Sequence, residues 1–137
     1  MEKTVTIPIT PGFSIVELDR TADELETRRA AISDALKNIV ADIKQCGVGY
    51  AGVAFGKDIK ETMQAAVNDI KFPNQGDRLS DFKHVCLYFE VDEATKMGEL
   101  AEQNQFADAI IPEGVICDKF WQTVSSEKDN KVVAICH

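Results

Sequence analysis

Two short pairs, His84-x-Cys86 and Cys136-His137, carry side chains that ligate metals. If the strands holding them lie side by side, imidazole and thiolate meet in a combination that suits zinc. Alternation in an extended chain sends Cys136 and His137 to opposite faces, so only one of them could enter such a site. His84, Cys86 and Cys136 are thus the candidate ligands, although buried thiols in strands are common and no metal is expected. Gly47-Val48-Gly49-Tyr50-Ala51-Gly52 spells G-x-G-x-x-G, a pattern that lets a backbone turn tightly against a pyrophosphate. Its setting is wrong for that task, because helical sequence precedes it and the next helix starts only after Phe55-Gly56-Lys57. Gly52 to Asp58 is likewise a residue short of a P-loop and puts a carboxylate where the metal-binding hydroxyl belongs. No phosphate cofactor is expected, and the glycines read as packing devices. There is no G-x-S-x-G, and His84 and His137 lack an assigned acid. Asp92, Glu93 and Asp108 are the best remaining acids for catalysis and serve equally well as helix caps.

The elements that must hold these residues centre on Cys46 to Phe72. Val48, Tyr50, Val53 and Phe55 predict a strand; Ile59, Met63, Ala66, Val67 and Ile70 recur at helical spacing after Asp58. Phe72 to Asp77 is a cluster of breakers, and Val85, Leu87, Phe89 and Val91 alternate in a strand whose second face is also largely apolar. Such a strand belongs in a sheet interior, covered on both sides. Thr4 to Ile9 predicts an edge strand, because Pro8 cannot donate to a ladder, and Pro11-Gly12 turns it into Phe13 to Leu18. Thr21-Ala22-Asp23-Glu24 is a capping box opening a long helix with a stripe of Leu25, Ile32, Leu36, Ile39 and Ile43. Arg28, Arg29, Asp34, Lys37 and Asn38 decorate the rest of that helix, which if unbroken runs to Lys44 or Gln45. Glu93 to about Gln105 predicts a further helix, Asp108 to Cys117 a bent strand, and Phe120 to Val124 with Lys131 to Ile135 a hairpin-like ending.

A chain of 137 residues with 45% hydrophobic content suits one domain with one core. Its net charge of −8 repels phosphate backbones, so neither nucleic acid nor an anionic membrane is an expected partner. The N-terminal MEKTVTIPIT does not read as a secretory signal and no apolar run reaches membrane-spanning length, which makes cytoplasm the expected compartment. Cys46, Cys86, Cys117 and Cys136 are scattered through apolar contexts, as reduced buried thiols would be.

The central stretch resembles the C-terminal domain of the tubulin-like cell-division GTPase FtsZ. In that family a G-x-A-x-M-G-x-G segment leads into a helix with A-x-x-A-I and a following proline; here Gly47, Gly49, Ala51, Gly52, Ala54 and Gly56 precede Ala65, Ala66, Val67, Ile70 and Pro73. Asn38-Ile39-Val40-Ala41-Asp42-Ile43 is similar to the family's catalytic loop N-x-D-x-A-D-V, and Val5-Thr6-Ile7-Pro8 to its I-x-I-P strand. In FtsZ the loop acids of one subunit complete the nucleotide pocket of the next, so the resemblance implies Asp42 as the second acid. The first falls on Ile39 or Val40, and the phosphate-binding GGGTGTG segment is missing, which leaves Asp42 a catalytic candidate without a pocket. The resemblance also implies that the long helix stops near Asn38, an alternative to the unbroken reading that propensity does not decide.

Together these readings give an α/β (α+β) two-layer sandwich with a mixed four-stranded sheet and a long N-terminal helix, as a single FtsZ C-terminal-like domain over 1–137. Within it 1–20 form a strand arm, 21–45 the helix and 46–137 the α/β core. The expected function is a non-enzymatic, GTP-independent interaction or self-assembly module whose partner is itself or another protein. The alternative is a small oligomeric enzyme or metabolite-binding protein with sites between subunits, similar in layout to trimeric chorismate mutases. That chemistry wants arginines for anionic substrates, and only Arg20, Arg28, Arg29 and Arg78 are present.

Overall fold

In the computed structural model, residues 4–10, 12–39, 47–73, 76, 78–92, 97–124 and 129–137 are described. Among these, six strands and three α-helices follow in the order β1 (Thr4–Thr10), β2 (Phe13–Leu18), α1 (Ala22–Ile39), β3 (Gly47–Gly56), α2 (Ile59–Asn68), β4 (His84–Asp92), α3 (Met97–Ile110), β5 (Ile116–Val124) and β6 (Asn130–Cys136). All six strands join one mixed sheet in the order β1-β2-β3-β6-β4-β5. The expected four-stranded sheet is thus too small. The N-terminal hairpin adds two strands, because β2 pairs in parallel with β3 through Phe13↔Gly47, Ser14↔Val48 and Ile15↔Gly49.

Alternation sorts the side chains into two cores, and this makes three layers where two were expected. Phe13, Ile15, Ala51, Val53, Cys86, Tyr88, Val133 and Ile135 pack with Ala31, Ile32, Ala35 and Leu36 of α1 on one face. Val85, Leu87, Phe89, Val91, Val132, Ala134 and Cys136 pack with Ile59, Met63, Ala66 and Ala107 of α2 and α3 on the other. Each fully buried aliphatic or aromatic side chain contributes about 1.5–3 kcal/mol, against about 0–1 kcal/mol for an exposed ion pair such as Lys57 with Asp129. The two cores, not the surface charges, hold the layers together.

Local chemistry explains most element boundaries. Thr21 Oγ1 accepts from Glu24 N at 3.2 Å to start α1, and Asp58 Oδ1 accepts from Lys60 N and Glu61 N at 2.9 and 3.1 Å to start α2. The helix expected over 21–45 is seen as Ala22–Ile39; residues 40–46 lie outside the described residues. Pro8 lies on the edge strand, where no second ladder needs its missing N–H, and the β1–β2 register shifts beside it. Strand β4 is interior and covered on both faces, as its sequence implies.

Two expectations fail near the C-terminal end of the chain. The bent strand over 108–117 is instead the end of α3, a turn with Gly114 at φ 90°, and the start of β5. The hairpin ending does not form either: β5 pairs in parallel with β4, and β6 inserts antiparallel between β3 and β4. The reason lies in composition. Lys131 to Cys136 is buried throughout and must be sheltered on both faces, whereas β5 carries Asp118, Lys119, Gln122 and Thr123 and tolerates an edge.

Candidate functional site

The β2–β3 ladder stops after Ile15↔Gly49, which leaves the next groups on that side of β3 without strand partners. Side chains take them instead: Arg28 Nη2 donates to Ala51 O at 2.7 Å, and Val53 N donates to Asp69 Oδ2 at 2.9 Å. The Arg28 guanidinium grips Glu17 through Nε to Oε2 and Nη2 to Oε1, the latter 3.0 Å, and donates through Nη1 to Asp69 Oδ2. Arg20 reaches the same aspartate, with Nη1 3.0 Å from Oδ1 and Nη2 2.6 Å from the Asp69 carbonyl. Burial by itself would lower the pKa of Arg28, but its bonds to and charge attraction for Glu17 and Asp69 outweigh that and raise it. This hub ties β2, α1, β3 and the end of α2 into one block.

A second polar cluster lies between α1 and the sheet. Tyr88 Oη donates to Glu90 Oε2 at 3.1 Å and lies 3.0 Å from Gln122 Oε1, while Lys131 Nζ sits 2.6 Å from Glu90 and 3.1 Å from Asp34. Burial, then the Glu90 charge, pushes the Tyr88 phenol well above its usual range, so it stays a neutral donor. The carboxylates there answer Lys131 and the phenol, which makes this a satisfied network lining a cavity of about 230 Å³ rather than a set of groups waiting for substrate.

The candidate metal ligands separate as alternation requires. His84 and His137 stack at 5.2 Å, and Cys86 Sγ lies 3.8 Å from His137 Nε2. Cys136 faces the opposite core, where its thiol bonds the Tyr50 carbonyl at 3.5 Å and burial pushes its pKa up to about 12. Burial, then the neighbouring His84, lowers the His137 pKa. Among the described residues no three His, Cys, Asp or Glu side chains are grouped to hold a metal ion. Asp42 and Glu93 lie outside the described residues; Asp108 pairs with Lys119 at 2.5 Å, and the Asp92 backbone N–H donates to Asn130 at 3.2 Å. The G-x-G-x-x-G run lies within β3, where a Cβ on Gly52 would fall 1.8 Å from the Ala66 carbonyl oxygen, so that glycine admits the backbone of α2.

A groove of about 550 Å³ lies open between edge strand β1 and α1. Ile7, Pro8, Ile9, Ile32 and Leu36 give it an apolar lining, and Arg29 and Lys37 give it a cationic rim. Among the described residues, the exposed large hydrophobic side chains are Val48, Phe55 and Ile116.

Solved structures resemble this fold. A structure described as an FtsZ dimer from M. jannaschii superposes with a TM-score of 0.59 at 13% identity, covering 86% of this chain and 40% of that one. A second FtsZ structure from the same organism gives 0.60 at 13% identity, and CetZ1 from Haloferax volcanii, described as a GDP-bound monomer, gives 0.58 at 9%.

The fold is FtsZ-like.

This chain spans about two fifths of the length of those FtsZ structures. No protein-family model matches it, and no curated protein matches it in sequence. Among the described residues, no helix of this FtsZ-like fold is long and apolar enough to cross a membrane.

The hub escaped the sequence reading, which put Arg28 on the solvent side of α1, yet it is only 6% exposed. A signal was present. Leu25, Arg28, Ile32 and Ala35 are spaced by three, four and three, so Arg28 stands within the inward stripe and Glu17 between Val16 and Leu18 of a buried strand. Charged residues in such positions need buried partners.

Proposed function

We propose that this chain is an FtsZ-like association domain that binds further copies of itself, without GTP and without catalysis. The fold supports this reading, as does the description of one M. jannaschii relative as a dimer. The observation that carries it is the open β1–α1 groove, an apolar-lined cleft at a sheet edge where Ile7 and Ile9 are only half-buried, in a chain whose two described polar clusters bond mainly within themselves.

Sedimentation velocity over a wide concentration range, with and without GTP and magnesium, tests the reading. The expected result is reversible, concentration-dependent association, unaltered by nucleotide and accompanied by no phosphate release. A monomer at every concentration would remove it. A thermal shift of several degrees with GTP or another small anion would favour a ligand-binding protein instead.

A further inference from the structure

Resting on the self-association reading, we infer that copies of this chain join head to tail, with Phe55 of one copy seated in the β1–α1 groove of the next. The two surfaces differ in kind and complement one another. Phe55 is 51% exposed near the end of β3, and the surface around it includes Asp23, Glu24, Thr27 and Val53. Arg20 and Arg28 also reach this surface, where Glu24 lies 3.8 Å from Arg20, but Asp69 and Glu17 already balance their two charges. Asp23 and Glu24 are therefore the local surplus, and the knob is an aromatic ring with an acidic surround. The groove is its counterpart, with Ile7, Ile9, Ile32 and Leu36 as apolar walls, Arg29 and Lys37 at the rim, and no carboxylate among the described residues that line it. Among the described residues Arg29 has no ion pair, and Lys37 meets Asp34 only at 3.9 Å on an exposed surface. In a chain of net charge −8, this cationic rim is a part of the surface to which another copy is attracted.

The charges also choose the symmetry. Groove against groove would oppose Arg29 and Lys37 with the same residues, and knob against knob would oppose Asp23 and Glu24 with theirs. Only the unlike pairing satisfies both, and a heterologous contact leaves a knob and a groove open at the two ends, so association continues until a ring closes or a filament grows. Direct pairing of β1 edges is disfavoured, because Pro8 offers no N–H to a neighbouring strand. Docking by side chains remains.

Two surface variants and their mixture test this on the full chain, by sedimentation velocity. Phe55→Ser removes the knob and leaves the groove; Arg29→Glu with Lys37→Glu reverses the groove and leaves the knob. Each alone should associate at least about tenfold more weakly than the unaltered chain, which itself should dissociate as salt is raised. Mixed in equal amounts, the two should form a dimer that grows no further, since one knob and one groove survive between them. Matching urea midpoints for the variants and the parent establish that all are folded. If the unaltered chain associates and either variant associates equally well, or the mixture stays monomeric, this contact is wrong while self-association stands. If the unaltered chain never associates, the function proposed above falls and this contact with it.

Discussion

Asp69 occupies the C-cap of α2, where its carboxylate meets the negative end of the helix dipole. Such a placement is favourable only because Arg28 and Arg20 converge on it and Val53 N donates to it. Asp69→Asn keeps the shape but removes the charge that two buried guanidinium groups share. The expected loss is about 2–3 kcal/mol in urea unfolding, below the roughly 3–5 kcal/mol of a fully buried pair because a quarter of the Asp69 side chain is exposed. Asp129→Asn, which touches only the exposed pair with Lys57, should lie under about 1 kcal/mol. Equal losses from the two would mean that the hub is no stronger than a surface ion pair. The contrast with the histidine corner shows what a sequence reveals at this scale. His84, Cys86 and the opposed facing of Cys136 follow from strand alternation alone, whereas Glu17, Arg28 and Asp69 meet only because β2 leaves β3 early, and no local pattern announces where a ladder stops.

At the level of elements, α2 lies against β3 so closely that its backbone occupies the space a side chain would need at Gly52. Gly52→Ala places a methyl group against the Ala66 carbonyl and within 2.8 Å of Ile70 Cγ1, and neither a helix backbone nor a buried isoleucine can yield without moving α2. The loss should reach or exceed about 3 kcal/mol, the upper end for overpacked cores. Gly114→Ala is the comparison, since its Cβ would meet open space and only the positive φ resists it, at about 1–2 kcal/mol. Urea midpoints for the two variants measure the difference, and the reverse order would show that α2 stands off from the sheet. The packing role of this glycine was legible, because an apolar strand with glycines in it needs something close by. Strand order was not. The turn-like Ser125 to Asn130 links two apolar runs and suggests a hairpin, but the demand of Val132 to Cys136 for cover on both faces overrides proximity in sequence.

For the molecule as a whole, that insertion makes β6 the keystone. Among the described residues it is the one strand that joins β1-β2-β3 to β4-β5, and it feeds both cores, with Val133 and Ile135 on the α1 side and Val132, Ala134 and Cys136 on the other. Its three large aliphatic side chains, at about 1.5–3 kcal/mol each, approach the entire stability of an ordinary domain, about 5–15 kcal/mol, before any hydrogen bond is counted. Strand β1 stands at the other extreme, bonded along one edge only and half-exposed. Removing residues 130–137 should therefore abolish the cooperative urea transition followed by circular dichroism. Removing residues 1–11 should leave a cooperative transition at a lower midpoint, and because Ile7 and Ile9 go with it, that shortened chain should remain monomeric where the parent associates. A cooperative transition in the chain without 130–137 would contradict the sheet order, since both cores would then have lost the strand that ties β3 to β4.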